Sequence, residues 1–194
     1  AGGGDLITFL PDTVEIQKGG LPCWSPDGSQ VAFVERKWTS LCTYNLRTHE
    51  LKSLFREEGK IPLPGGWWSD GKSILFALMD LQTRKSTIER ISTDGKVRTQ
   101  IPCEQENFYR HLALSPEGSL LVFGAAKGRY LGLYIMSSEG GPALPLAVTE
   151  NNHNEGAVWS PDGKHIAFTS TRSGNFDIWI MDVDPEEIRA KLQE

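Results

Sequence analysis

The chain holds 194 residues, 39% of them hydrophobic and 23% charged, which suits one soluble globular domain with a sizeable core. Its net charge of −5, with Lys and Arg scattered rather than clustered, argues against a nucleic-acid partner, because a duplex binder presents a basic face to the phosphates. No run approaches the roughly 20 apolar residues of a spanning helix, and Ala1 to Asp5 has neither the basic region nor the apolar core of a signal peptide. Cys23, Cys42 and Cys103 form no CxxC pair and lack metal-ligand spacing, so buried apolar thiols are expected, with no metal, no cofactor and no membrane insertion.

In chain order, Leu6 to Gln17 reads as two strands around the turn Pro11-Asp12-Thr13. Four aligned segments follow: Cys23-Trp-Ser-Pro-Asp-Gly28, Trp67-Trp-Ser-Asp-Gly71, Ala113-Leu-Ser-Pro-Glu-Gly118 and Val158-Trp-Ser-Pro-Asp-Gly163. Their glycines lie 43, 47 and 45 residues apart, the length of one four-stranded blade. Three residues after each glycine stands Val31, Ile74, Leu121 or Ile166, and five after it Phe33, Phe76, Phe123 or Phe168. A further apolar run then appears: Leu41 to Leu46, Thr87 to Ile91, Leu131 to Met136, and Phe176 to Asp182. Shorter fourth strands are expected at Leu51 to Phe55, Val97 to Ile101 and Leu144 to Val148, with none evident after Met181. Asp184-Pro185-Glu186 reads as a helix cap, with Pro in the first turn and Ile188 and Leu192 on one face of a short helix.

The turn chemistry is explicit. Pro presets φ at the first corner, Asp or Ser can hydrogen-bond the turn backbone, and Gly supplies the left-handed residue. Trp24, Trp68, Leu114 and Trp159 are expected to end the strand before the turn and fill the gap between neighbouring units. The second unit lacks the Pro, so a shorter turn is expected there. One such unit cannot cover both of its faces, whereas units packed around an axis cover each other. The fold class is therefore all-β: a β-propeller of about four four-stranded antiparallel blades with a short C-terminal helix. It is read as one domain over 1–194: a partial blade 5–20, blades at about 21–57, 63–101, 110–148 and 155–183, and a tail 184–194.

With these residues in view the chain resembles the TolB-type propeller repeat family over about 21–183. The closest fragment runs from Trp159-Ser-Pro-Asp-Gly163 through Phe168 to Asp177-Ile-Trp-Ile-Met-Asp182. The resemblance is specific for the fold and says little of function, because the same repeat serves TolB itself, prolyl-oligopeptidase-type peptidases and many envelope proteins. Family rings close with six or more blades, which leaves two architectures open: a partial ring from a longer propeller, or a small ring closed by the N-terminal strand. The partial ring would expose strand edges, through which a homodimer could form.

Several motifs imitate chemistry. Gly66-Trp-Trp-Ser-Asp-Gly71-Lys72-Ser73 fits the phosphate-loop spacing, but a true loop of this kind opens a helix, and Ile74 to Leu78 reads as a strand. There is no G-x-S-x-G elbow and no H-E-x-x-H. Asp27, Asp70, Glu117 and Asp162 recur once per unit and belong to turn chemistry, while His49 and His165 sit beside turns. A binding face is expected at the loops joining one blade to the next. Three are distinctive: Ile61 to Trp67, Glu104 to His111 and Asn151 to Glu155. The candidate partner-binding residues are Trp67, Phe108, Tyr109, Arg110, His111, His153, Asn154 and Glu155. The expected function is non-catalytic binding of a protein or peptide in the periplasm or envelope, with the cytoplasm as the alternative compartment. Two alternatives stand beside it: the regulatory propeller of a prolyl-oligopeptidase-type hydrolase, and a propeller lyase or glycan-binding protein using His111 and His153 around a metal.

Overall fold

A computed structural model describes residues 10, 22–35, 40–103 and 109–194. The strands expected at Leu6 to Gln17, apart from Leu10, and the segment from Glu104 to Phe108 lie outside the described residues. Among the described residues fifteen strands form four antiparallel sheets in chain order, and one helix follows them. The first blade holds β1 (Cys23–Trp24), β2 (Gln30–Val34), β3 (Ser40–Asn45) and β4 (Leu51–Arg56). The second holds β5 (Lys60–Trp67), β6 (Ser73–Asp80), β7 (Ser86–Ser92) and β8 (Arg98–Ile101), and the third β9 (Arg110–Leu114), β10 (Leu120–Lys127), β11 (Tyr130–Ser137) and β12 (Ala143–Ala147). The fourth has three strands, β13 (Asn154–Trp159), β14 (His165–Ser170) and β15 (Asp177–Asp182), followed by α1 (Pro185–Lys191).

The four turns are built alike. The N–H of Gly28, Gly71, Gly118 and Gly163 donates to the carbonyl of Ser25, Trp68, Ser115 and Ser160 at 2.8–2.9 Å, with φ between 67° and 81°. The N–H of the same four acceptor residues donates forward to Gln30, Ser73, Leu120 and His165. The second turn is therefore the same length as the others, contrary to the sequence expectation. Trp68 stands in the Ser place and Ser69 in the Pro place, so Trp67, not Trp68, ends the strand. Trp67 pairs with Ile74 as Trp24 pairs with Val31, Leu114 with Leu121 and Trp159 with Ile166. A turn of this type depends on the left-handed Gly and the closing hydrogen bond, and Pro only biases it.

The core lies between blades. The three interior phenylalanines Phe76, Phe123 and Phe168 each pack against the preceding blade and are at most 3% exposed. Phe33 takes the equivalent place in the first blade, buried with Cys42 and Tyr44, with Leu10 packed against them. Burial pushes the Cys42 thiol up to about 11, as expected of an apolar cysteine. Each such ring contributes about 1.5–3 kcal/mol by leaving water. Two blades are also pinned by an indole: Trp67 Nε1 donates to the Cys23 carbonyl and Trp159 Nε1 to the Ala113 carbonyl, both at 3.2 Å. Inner strands meet so closely that a Cβ on Gly65 would lie 2.4 Å from Leu112 Cβ. No core cluster among the described residues joins the fourth blade to the first.

Asp184 caps α1 by accepting from the N–H of Glu186 and Glu187, and Ile188 and Leu192 rest on the cluster between blades three and four. No helix among the described residues is long and apolar enough to cross a membrane. The segment after Ser73 is strand β6, so the Gly66–Ser73 run has no helix N-terminus with which to hold phosphate.

Candidate partner-binding face

Strand direction sorts the connections between two faces. The turns from first to second strand and from third to fourth share one face with α1, whose Arg189 reaches Glu117 at 3.1 Å and Ser119 at 2.8 Å. The loops from second to third strand (81–85, 128–129 and 171–176) share the other face with the described parts of the inter-blade connections (57–59, 102–103 with 109, and 148–153). The described candidate residues are not all on this second face, since Trp67 ends β5 at the turn side.

His111 has the most unusual position. It sits where β9 bulges against β10, between the pairs Ala113 with Val122 and Arg110 with Gly124. Its φ is 51°, left-handed backbone for a residue that carries a Cβ. The same bulge recurs in β13, and there the residue seven before the turn glycine is Gly156, with φ 66°. Histidine thus occupies a place whose backbone favours glycine. His111 Nδ1 is buried and has no hydrogen-bond partner among the described residues. Glu155 Oε2, from the neighbouring blade, stands 4.0 Å away, beyond hydrogen-bond range. Burial holds the His111 pKa below the ordinary value, the Glu155 charge pulls the other way, and Arg110 adds to the fall.

Other candidates turn out to serve the frame. The loop expected at Ile61 to Trp67 is strand β5, and Trp67, 7% exposed with its indole bonded to Cys23, is part of the inter-blade core. Tyr109 is equally sealed, edge-on to Phe123 at 5.4 Å, with its N–H donating to Ser86 Oγ. Asn154 is fully buried at the start of β13 and accepts from Arg172 at 3.2 Å. Arg110 is half-buried at the start of β9. Phe108 lies outside the described residues.

His153 remains on the loop face. Its ring meets Tyr130 edge-on at 5.2 Å and Phe176 at 6.4 Å, and its Nδ1 faces the Leu131 N–H at 3.3 Å. Sequence reasoning missed Tyr130, Phe176 and Arg172. Arg172 lies over the rings of Phe168 and Trp179 and bonds Ser170 as well as Asn154. The only sequence signal for it was an arginine in the loop between Phe168 and Trp179, which pair across β14 and β15. The opposite face carries a cavity of about 470 Å³ beneath α1, lined in part by Trp68, Arg90, Glu139 and Arg189. Arg90 lies 4.2 Å over the Trp68 ring there. Among the described residues no group of three or more His, Cys, Asp or Glu is placed to hold a metal ion.

No family model matches the chain. Among curated proteins it is 29% identical over 152 residues to the uncharacterized protein Atu1656 of Agrobacterium fabrum, covering 75% of this chain and 48% of that protein. It is 28% identical over 169 residues to the uncharacterized peptidase YuxL of Bacillus subtilis, covering 82% of this chain and 24% of that one. The chain thus spans half or less of the curated relatives it matches. Among solved structures, TolB from Acinetobacter baumannii superposes with a TM-score of 0.72 at 23% identity, over 84% of this chain and 41% of that chain. An oligogalacturonate lyase in complex with manganese superposes at 0.66 and 18% identity, over 86% and 50%. These likenesses concern the fold, and the fold is a β-propeller like that of TolB.

Proposed function

We propose, for a chain that folds as a TolB-like β-propeller, that it is a non-catalytic module of the periplasm or cell envelope. It would take a protein or peptide partner on the loop face between its third and fourth blades. The observation that carries this reading is His111, held in a left-handed backbone with a buried Nδ1 that nothing in the described chain satisfies. Strain of this kind persists where a function requires it, and an unmet buried acceptor or donor costs about 1–3 kcal/mol. A partner placing an N–H or O–H at Nδ1, a cation at Glu155 and an apolar group against Tyr130 and Phe176 would satisfy all three features at once.

The test is capture of envelope proteins on the immobilised chain, followed by titration of the captured partner. His111→Ala and Glu155→Lys should each weaken binding by roughly tenfold, the scale of an interface hot spot. Equal binding by both variants would move the site elsewhere. A second reading, the regulatory propeller of a hydrolase, is favoured by the likeness to YuxL, in which the matched stretch forms 24% of a longer peptidase. Under that reading the loop face would meet a catalytic domain of the same polypeptide rather than a separate partner.

A further inference from the structure

The connections on the two faces carry opposite charge. The first turn of each blade holds a carboxylate, Asp27, Asp70, Glu117 or Asp162, and the outer turns of blades two and three add Asp94 and Glu139. On the loop face the three described hairpins (81–85, 128–129 and 171–176) contain Arg84, Lys85, Arg129 and Arg172 and no carboxylate, and Lys127 ends β10 beside them. All of these cationic residues are exposed.

Most charged groups on the loop face already have work within the fold. Asp80 accepts from the N–H of Gln82 and Thr83 at 2.9 and 2.8 Å, Glu57 pairs with Lys60 and Arg98, and Asp177 accepts from the Ser173 hydroxyl. Arg172 is held by Ser170 and Asn154. Lys127 and Arg129 differ: neither has a carboxylate or other polar partner among the described residues. Only Gly128, with φ 63°, separates them at the tip of the β10–β11 hairpin. Both line a groove of about 450 Å³ that also takes in Tyr130, Glu150 and Asn151. Tyr130 is braced there by the edge-on ring of His153 at 5.2 Å.

Two neighbouring like charges repel, and an anion in the groove relieves that repulsion. A cationic rim opposite an acidic face also orients an anionic partner before contact. A continuous polyanion such as nucleic acid fits poorly, because the chain has a net charge of −5 and Glu150 and Glu155 lie on the same face. A polypeptide segment can change sign along its length and match both.

We propose that the loop face takes an acidic segment of a protein partner, with its carboxylates in the groove at Lys127 and Arg129. This rests on the loop face being the binding face. The segment sets its carboxylates outermost, an apolar side chain against Tyr130, and a cation at Glu155.

The probe is a dye-labelled peptide of one lysine, two leucines and four glutamates in that order, followed by fluorescence anisotropy at low salt. It should bind the wild-type chain at least about tenfold more tightly than the same peptide with glutamines for glutamates, and lose affinity as salt screens the charges. Lys127→Glu and Arg129→Glu should each weaken it by roughly fivefold, and the neutral Lys127→Gln and Arg129→Gln by less. Lys164→Glu makes the same change of net charge on the turn face and should bind as wild type. Because Lys127 and Arg129 are exposed and unpartnered, melting temperatures should stay level across these variants.

Four results would each overturn the proposal: no binding by the wild type, equal binding of the glutamine peptide, equal losses from Lys164→Glu and Lys127→Glu, or tighter binding of a single-stranded oligonucleotide or of anionic vesicles than of the peptide. The inner seat fails separately. If Lys127→Glu abolishes binding while His111→Ala and Glu155→Lys leave it unchanged, the acidic segment stands and the seat at His111 falls.

Discussion

The turn face and the loop face of this propeller are built from the same strands but obey different rules. On the turn face the first turn of every repeat does the same thing. Four glycines take the same left-handed φ, four closing hydrogen bonds span the same register, and the Asp27, Asp70 and Asp162 carboxylates each accept from the N–H two residues on. On the loop face the repeats diverge. Equivalent bulges hold His111 in one blade and Gly156 in the next, with φ 51° and 66°. His49, in the turn before β4, and Arg84, before β7, are left-handed as well, with φ 59° and 60°, so backbone alone does not set His111 apart. What does is its place inside a strand bulge together with a buried Nδ1 that has no partner among the described residues, and the proposed partner site would give that position a role.

The largest expected effect tests the frame itself. Phe123→Ala removes a fully buried ring that touches both Tyr109 and Tyr134, at centroid distances of 5.4 and 5.9 Å. It should cost about 3–5 kcal/mol, read as a fall in the denaturant midpoint at unchanged slope. A loss below about 1 kcal/mol would mean that the blades do not depend on the repeated ring, and the contrast between the two faces would lose its basis.

How far the sequence revealed this contrast depends on the kind of signal. The repeated phenylalanines were legible because burial between blades imposes a fixed offset from the turn glycine. The second turn was misread because Pro was taken as its marker, whereas Trp68 and Ser69 fill the Ser and Pro places and the glycine does the closing. Strand β5 was read as a loop because of Pro62 and Pro64. As the inner strand it has one free edge, and Pro is tolerated on an edge because no partner there needs its missing N–H. Of the site, residue types were visible but burial was not, so Tyr109 and Asn154 were grouped with His111 although both serve packing. The one usable hint was spacing: His111 and Gly156 each stand seven residues before a turn glycine.

That pair gives the next prediction. His111→Gly should relieve the left-handed backbone and stabilise the fold by about 1 kcal/mol, while weakening partner capture. The pH dependence should change with it. The His111 pKa lies below 6.5 in the fold, so the unfolded chain binds more protons as the solution acidifies. The wild-type stability that His111 carries is present above pH 6.5 and declines as pH falls through the lowered folded value. The glycine variant should lack this decline in thermal melts taken at descending pH. A variant that is less stable than wild type at neutral pH would show the left-handed backbone to be costless, and the contrast with Gly156 would carry no meaning.

The smallest effect belongs to the turn face and should run opposite in character, structural with no consequence for binding. The Ser25 hydroxyl, then the Ser29 N–H and hydroxyl, hold the Asp27 carboxyl down to about 2 from an ordinary 3.8. A depressed carboxylate contributes stability above its unfolded value and loses it as pH falls through its folded value, so the window lies between about pH 4 and pH 2. Asp27 is fully exposed, so solvent screens most of the effect. Wild type should therefore lose slightly more melting temperature than Asp27→Asn across that window, with equal partner capture at neutral pH. Should Asp27→Asn instead impair capture while leaving the acid profile unchanged, the turn carboxylates would belong to a binding surface, and the division of labour between the two faces would have to be redrawn.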